Sequence, residues 1–224
     1  MSTTTTDLTQ RLQEALLLID EKATVMDIGA DRGLLSLALE KNGHKVYATE
    51  NKKGPYDALC TSLKLSKSKN VRPLFLDGMK KVDKDVDTVA ILGMGGRTIF
   101  SILEEGVKKY PDIKTYVIEP QSAFSLPISF LLDHGYKNIA GSMINETRYY
   151  PLLKFVKNCE EIAYNSAERS FGPYLFHNHD ANLLTFLQEE LRRLDSLSEI
   201  GKKRHQNEID LLKGAIELWR QRNS

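Results

Sequence analysis

The sequence predicts an α/β fold: a mostly parallel seven-stranded sheet, finished by an antiparallel strand pair and followed by an α-helical hairpin. Three observations carry that expectation. Short strand-like runs alternate with helical stretches from residue 24 onward, which implies βαβ units and a parallel sheet. Two further strand-like runs, 139–144 and 152–156, have too little chain between them for a crossover and must pair antiparallel. Beyond Phe171-Gly172-Pro173, two amphipathic helical patterns face each other across a polar bend.

The elements follow in order. After the threonine-rich residues 3–6, Asp7 with Gln10 reads as a capping box, and Leu8, Leu12, Ala15, Leu16 and Ile19 recur at helical spacing. Strands are expected at 25–28, 45–49, 71–76, 88–92 and 116–118. Helices are expected between them at 34–42, 55–65, 98–110 and about 126–134, the last stopped by Gly135. Asn145-Glu146-Thr147-Arg148 joins the final strand pair. Leu183, Leu184, Leu187, Leu191 and Leu194 line one late helix, and Ile209, Leu212, Ile216 and Trp219 the other. Gly201 and the polar residues 202–207 mark the bend between them. The organisation read from this pattern is a sheet domain over 1–160 and a helical, coiled-coil-like hairpin over 176–224.

Bulk composition narrows the function classes. With 224 residues and 41% hydrophobic content the chain can bury a full core, which argues against disorder. Its 31 basic and 30 acidic residues give a net charge of +1, so any polyanion must be held by local basic patches. Cys60 and Cys159 lack CxxC spacing and read as reduced, buried thiols. No leader pattern and no apolar run of about 18 residues occurs, so a soluble, cytoplasmic protein without membrane contact is expected.

The first strand feeds into Asp27-Ile28-Gly29-Ala30-Asp31-Arg32-Gly33 at the edge where open α/β sheets bind ligands. Gly29 and Gly33 permit a tight turn and close backbone approach. The loop is not GxGxxG, and Asp31 sits where a dinucleotide pyrophosphate would approach. A carboxylate there repels phosphate but suits the cationic amino-acid end of S-adenosylmethionine. The plainer reading makes Asp31 a helix cap. Glu50 closes the second strand roughly 20 residues beyond Gly29, the place from which a carboxylate accepts ribose hydroxyls. Asp77-Gly78 is read either as an adenine contact or as a common turn dipeptide.

Gly93-Met94-Gly95-Gly96 closes the fourth strand, and so many glycines point to backbone near a ligand, with Arg97 adding charge toward a phosphate. Glu119-Pro120-Gln121 ends the fifth strand facing the same crevice, as candidate readers of an acceptor base. His177 and His179 beside Asp180 are read as solvated rather than metal-binding, and no metal is expected. GxxxxGK[ST], GxSxG and HExxH patterns are absent. Five parallel strands closed by an antiparallel pair match the sheet of Rossmann-like class I methyltransferases rather than the six-stranded dinucleotide domain.

Taken together, Asp27-Ile28-Gly29-Ala30-Asp31, Glu50 with Gly54-Pro55, Asp77-Gly78, Gly93-Met94-Gly95-Gly96 and Phe171-Gly172-Pro173 resemble the TrmK family. Its members are bacterial tRNA (adenine-22, N1) methyltransferases with a class I domain and a C-terminal helical appendage. The resemblance runs from Arg11-Leu12 to the terminal hairpin. Two segments depart from it. Asp31-Arg32-Gly33-Leu34-Leu35-Ser36 stands where members usually carry Asp-His-Ala-Tyr-Leu-Pro, and Glu119-Pro120-Gln121 where they show Gln-Pro-Asn. The resemblance implies methyl-donor contacts at Arg11, Asp27, Gly29, Asp31, Glu50, Asp77, Gly78, Gly93, Met94, Gly95 and Gly96. It implies methyl transfer to adenine N1 without a general base, with Asp27, Asp31 or Glu119 offsetting the charge that develops on the base. Basic candidates for holding tRNA are Lys52, Lys53, Arg97 and Arg148 near the crevice, with Gln121 beside them. On the hairpin they are Arg192, Arg193, Lys202, Lys203 and Arg204. The hairpin is read alternatively as a packing or dimerisation element, with a monomer favoured. Rival readings are a methyltransferase of another substrate, a non-catalytic RNA- or partner-binding module, and an NAD-dependent oxidoreductase, against which the absent GxGxxG counts.

Overall fold

The computed structural model describes residues 8–158 and 160–222. The threonine run 3–6, Asp7 of the expected capping box and Cys159 lie outside the described residues. The first helix, α1 (Gln10–Leu18), is capped instead by Thr9, whose hydroxyl accepts the Leu12 N–H. Next come β1 (Thr24–Ile28), α2 (Leu34–Lys41), β2 (Lys45–Glu50), α3 (Lys53–Leu65) and β3 (Val71–Phe75). The chain continues through β4 (Thr88–Met94), α4 (Gly96–Gly106), β5 (Thr115–Pro120), α5 (Ser125–Asp133), β6 (Tyr136–Asn145) and β7 (Tyr149–Lys157).

The sheet has the order β3-β2-β1-β4-β5-β7-β6, parallel from β3 to β5. Strand β7 runs antiparallel to both β5 and β6, as the short connection between the last two strands requires. Two antiparallel steps make β6 parallel to β5, so the β6–β7 turn lies at the same edge as the carboxyl ends of the parallel strands. Alternation along each strand divides the core. Val25, Val46, Ala48 and Val117 pack with α1, α2 and α3, while Met26, Ile28, Ile91 and Ile118 pack on the opposite face.

After β7 the chain forms α6 (Ser166–Phe171), α7 (Pro173–His177), α8 (Ala181–Asp195), α9 (Glu199–Arg204) and α10 (Gln206–Gln221). Phe171-Gly172-Pro173 does interrupt the chain, but between two helices. Helix α6 escapes periodicity because it has only 6 residues, although Asn165 and Glu168 form a full capping box before it. The expected bend over 202–207 narrows to His205, between the end of α9, which is capped by Ser198, and the start of α10. Gly172 has φ +100°, and a β-carbon there would lie 2.9 Å from Leu153, so its backbone seats directly on β7.

The hairpin is fastened to the sheet at its root. Asp180 caps α8 by accepting the Leu183 N–H, accepts the Met143 N–H of edge strand β6 with its other oxygen, and takes the Trp219 indole N–H on its carbonyl. Asn182 donates to the Met143 carbonyl, so the hairpin satisfies both backbone groups of that edge residue. His177 and His179, read as loop residues, are spent structurally. His177 ends α7 against Arg222, and His179 meets the Trp219 ring edge-on. Among the described residues no group of three His, Cys, Asp or Glu is placed to hold a metal ion, and no helix is long and apolar enough to cross a membrane. Cys60 is half-buried rather than buried.

Leu183, Leu187, Leu194, Ile209, Leu212 and Ile216 belong to the same apolar cluster as β1, β4 and β5. Leu187 is completely buried. Leu187→Ala is therefore expected to cost about 2–5 kcal/mol. Urea unfolding followed by far-UV circular dichroism and by Trp219 fluorescence checks this, and the shared core requires the two transitions to coincide.

Candidate functional site

At the carboxyl edge of the sheet, the β1–α2 and β2–α3 loops are locked together. Gly29 N–H and Ala30 N–H both donate to the Thr49 carbonyl, and Asp31 N–H donates to Glu50 Oε1 at 2.7 Å. Asp31 adopts φ +52° and Gly29 φ +74°, left-handed conformations that turn the loop tightly enough to bring its amides onto β2. Gly33, not Asp31, occupies the cap position of α2, and it forms no side-chain cap. Its absent β-carbon leaves room for Leu59 of α3, 2.7 Å from where that carbon would be.

Two clefts open on either side of this loop. One, of about 310 Å³, is lined by Glu50, Asp77, Gly78 and Met94, and by a face of α4 that the sequence reading did not single out: Thr98, Ser101, Ile102 and Glu105. The other, of about 300 Å³, is lined by Arg11, Asp27, Asp31, Arg32, Gly93 and Gln121. Gly29 belongs to both. Larger grooves of about 750 and 710 Å³ run along the C-terminal helices, but no strand end or glycine loop reaches them.

The carboxylates differ in setting. Asp27 is buried behind the loop, accepts the Ser36 hydroxyl at 2.6 Å, and is pushed up to about 6 by burial, with the Glu50 charge adding to the shift and Ser36 opposing it. Asp77 is exposed at the mouth of its cleft and held below the usual carboxylate range by Lys80, with Asn51 helping. Glu119 has no exposed surface. Its Oε2 accepts Arg11 Nη1 at 2.9 Å, and burial raises its pKa against the pull of that guanidinium.

Arg11 thus spans 108 residues to meet β5, while its backbone N–H donates to Glu146 in the β6–β7 turn. Helix α1 is further tied by Glu14 to Ser142, and the turn after it by Asp20 to Lys154, and its first turn forms a wall of the second cleft. Glu119 is not part of either lining, contrary to its expected role of facing the acceptor. Gln121 is exposed and does line the second cleft.

The glycine run at the end of β4 is built mostly for packing rather than for a ligand. A β-carbon on Gly96 would strike the Ser122 and Ala123 carbonyls, and Gly96 N–H donates to Ser122 at 2.8 Å. Gly95 caps α4 with Ser122 3.3 Å from its missing β-carbon. Two of the three glycines therefore serve packing of α4 on the β5–α5 loop. Gly93, at φ +73°, clears the way for Arg11 Nη1, 3.1 Å from where a β-carbon would sit. Gly78 packs against Ile102 in the same manner.

Among the basic candidates, Arg97 lies exposed at the start of α4 and Arg148 in the β6–β7 turn, both at the carboxyl edge. Lys52 lines the first cleft, and Lys53 pairs with Asp57. Arg192 and Arg193 come near the end of α8, about 20 Å of helix away from its sheet-bound root. Lys202, Lys203 and Arg204 follow in α9. Arg193 is paired with Glu190 and Lys202 with Glu199, which dilutes the positive charge of that end.

The raised pKa of Asp27 has a stability consequence. Between the ordinary value of 3.8 and about 6 the folded protein binds more protons than the unfolded chain, so stability falls as pH rises through that window and is flat above it. At ~1.4 kcal/mol per pKa unit, the gap amounts to about 3 kcal/mol. Asp27→Asn removes this dependence. Urea titrations at pH 4 and pH 7 are expected to show the variant gaining on the parent by that order as pH rises.

The model of a methyltransferase domain family matches residues 8–153. The tRNA (adenine(22)-N(1))-methyltransferase of Bacillus subtilis is 27% identical over 203 residues, covering 86% of this chain and 84% of that protein. The crystal structure of the B. subtilis M1A22 tRNA methyltransferase TrmK superposes with a TM-score of 0.82 at 24% identity, over 94% of this chain and 99% of that one. The M. capricolum TrmK structure, in complex with S-adenosylhomocysteine, gives a TM-score of 0.81 at 24% identity, over 94% and 98%. With residues 8–153, well over half of its length, matched by that model and the two clefts at the carboxyl edge of its sheet, the chain belongs to the methyltransferase domain family.

Proposed function

We propose that this protein transfers a methyl group from S-adenosylmethionine to N1 of an adenine in tRNA, adenine 22 being the first candidate. The observation that carries the donor reading is the charge of the paired clefts. Glu50, Asp77 and Glu105 outnumber Lys52 in one, and the other sets Asp27 and Asp31 beside Arg11 and Arg32. The first lining opposes a pyrophosphate and suits a neutral nucleoside, and the second offers both signs of charge to an amino-acid end that carries an ammonium and a carboxylate. The acceptor reading is supported by the length of the likeness: it continues past residue 153 into the C-terminal helices of proteins named as tRNA methyltransferases.

The donor supplies an electrophilic methyl on a cationic sulfur. Glu50 would hold the ribose, its remaining carboxylate capacity being directed by the Asp31 N–H it already accepts. Asp77 at the mouth, with Ile102 behind Gly78, would frame the adenine. Asp27 and Asp31 would face the amino-acid end, and α1 would shield it from water through Arg11. Adenine N1 is neutral and bears no proton, so these residues need only align it with the methyl group. The positive charge that passes to the base is offset by the nearby carboxylates, Asp31 most directly because it is exposed in the cleft.

The target base has to leave its stack, at a cost of a few kcal/mol, and the RNA backbone must be held meanwhile. Arg97 and Arg148 flank the carboxyl edge where that base would enter, and the helical hairpin, taken as a tRNA-binding appendage, would add contacts from Arg192 and Lys203. Such an enzyme would work beside its tRNA in the cytoplasm.

The test is incubation with unmodified bulk tRNA and methyl-labelled S-adenosylmethionine, followed by nucleoside analysis. Labelled N1-methyladenosine is expected, with yield falling steeply as salt rises because phosphate contacts release counterions. Donor binding with no labelled nucleoside would remove the tRNA assignment and leave the methyltransferase.

A further inference from the structure

The two clefts are neighbours at the carboxyl edge of the sheet. Gly29 is the residue common to both linings among the described residues. Met94, at the end of β4, lies across it: a β-carbon on Gly29 would run into Met94 Cε, with Sδ 3.9 Å away. The methyl end of the Met94 thioether therefore stands against Gly29, where the linings of the Glu50 side and the Arg11 side meet.

We propose that Met94 is a single-side-chain gate on donor entry, closed across Gly29 in the free protein and swung aside when the donor spans both clefts. The inference rests on the donor reading above and adds a step to it. With its nucleoside by Glu50 and its amino acid by Asp31, the donor must pass its own C–S–C group over Gly29, the place held by the C–S–C group of Met94. Both cannot occupy it.

Methionine suits such a gate. It is unbranched with three rotatable bonds, so it leaves without displacing the backbone, and its polarizable sulfur packs acceptably in more than one position. Gly29 and Met94 are matched: the bare glycine backbone, locked by Thr49 and in a left-handed conformation, leaves the space that the methionine tip fills. Half-exposed Met94 is also packed on the main apolar cluster only at its margin, so its departure disturbs little.

Side-chain rotamers of this kind exchange in picoseconds to nanoseconds, faster than the diffusional arrival of a ligand. The gate therefore acts through the fraction of time the passage is open, and it weakens the apparent affinity by that fraction. An open fraction of about one tenth makes binding about tenfold weaker than in a protein with no side chain there.

Two measurements on the full chain decide it, with S-adenosylhomocysteine as the probe. Protein labelled with ¹³C at the methionine methyls is titrated, and the Met94 signal, assigned by its loss in Met94→Leu, is expected to move. The buried Met79 and Met143 signals should stay in place. By isothermal titration calorimetry, Met94→Ala is expected to bind about tenfold more tightly than the parent. A Met94 signal unmoved at saturation, or an affinity not raised in Met94→Ala, overturns the gate while leaving the donor site intact. Because the titration uses the parent protein, it decides the matter even where the alanine variant folds poorly. If the parent shows no saturable binding at all, the donor reading falls, and the gate with it.

Discussion

The hydrogen bond from Asp31 N–H to Glu50 Oε1 is the contact on which the site depends. It joins the loops that follow β1 and β2, and with the two amides that reach the Thr49 carbonyl it holds a left-handed turn that Asp31, a non-glycine residue, adopts only at some cost. That turn leaves Gly29 bare between the two clefts. Glu50 is thus both a wall of the first cleft and the support of the loop that borders the second. A ligand that bridges the clefts binds a surface already assembled by β1 and β2.

Around this centre, buried charge is arranged so that none is left entirely without a partner. Asp27 leans on Ser36, and Glu119 on Arg11. The second pairing draws α1 across the carboxyl edge, so the first helix of the chain becomes a wall of the site instead of a free amphipathic segment. A buried ion pair is weak evidence for added stability, since desolvation consumes much of its attraction. Its consequence here is positional: α1 can dock in one register, where Arg11 meets both Glu119 and Glu146. The C-terminal helices are fixed by the same logic at the other side of the sheet, where Asp180 and Asn182 satisfy the edge of β6.

Much of this was legible in the residues. Strands of a parallel sheet are buried on both faces and stand out as short apolar runs, and the carboxylates at 27, 31 and 50 follow from where such strands end. The antiparallel β6–β7 pair was visible because four residues cannot make a crossover. What escaped depended on contacts distant in sequence. The Arg11–Glu119 pair leaves no local trace, and neither does the Gly96 contact with the Ser122 and Ala123 carbonyls, which turned an apparent ligand loop into a packing joint. The α4 face of Thr98, Ser101, Ile102 and Glu105 was hidden because helical periodicity reports the buried stripe, and the residues beside it read as ordinary surface. Helices α6 and α9 are too short to show a period, and only their caps announce them.

If the paired clefts hold one extended donor across Gly29, a crystal structure of the protein with S-adenosylhomocysteine will show the ribose hydroxyls on Glu50, the adenine between Asp77 and Ile102, and the amino-acid end over Gly29 toward Asp31 and Arg11. A ligand confined to one cleft, or seated in the grooves of the C-terminal helices, would rule that arrangement out.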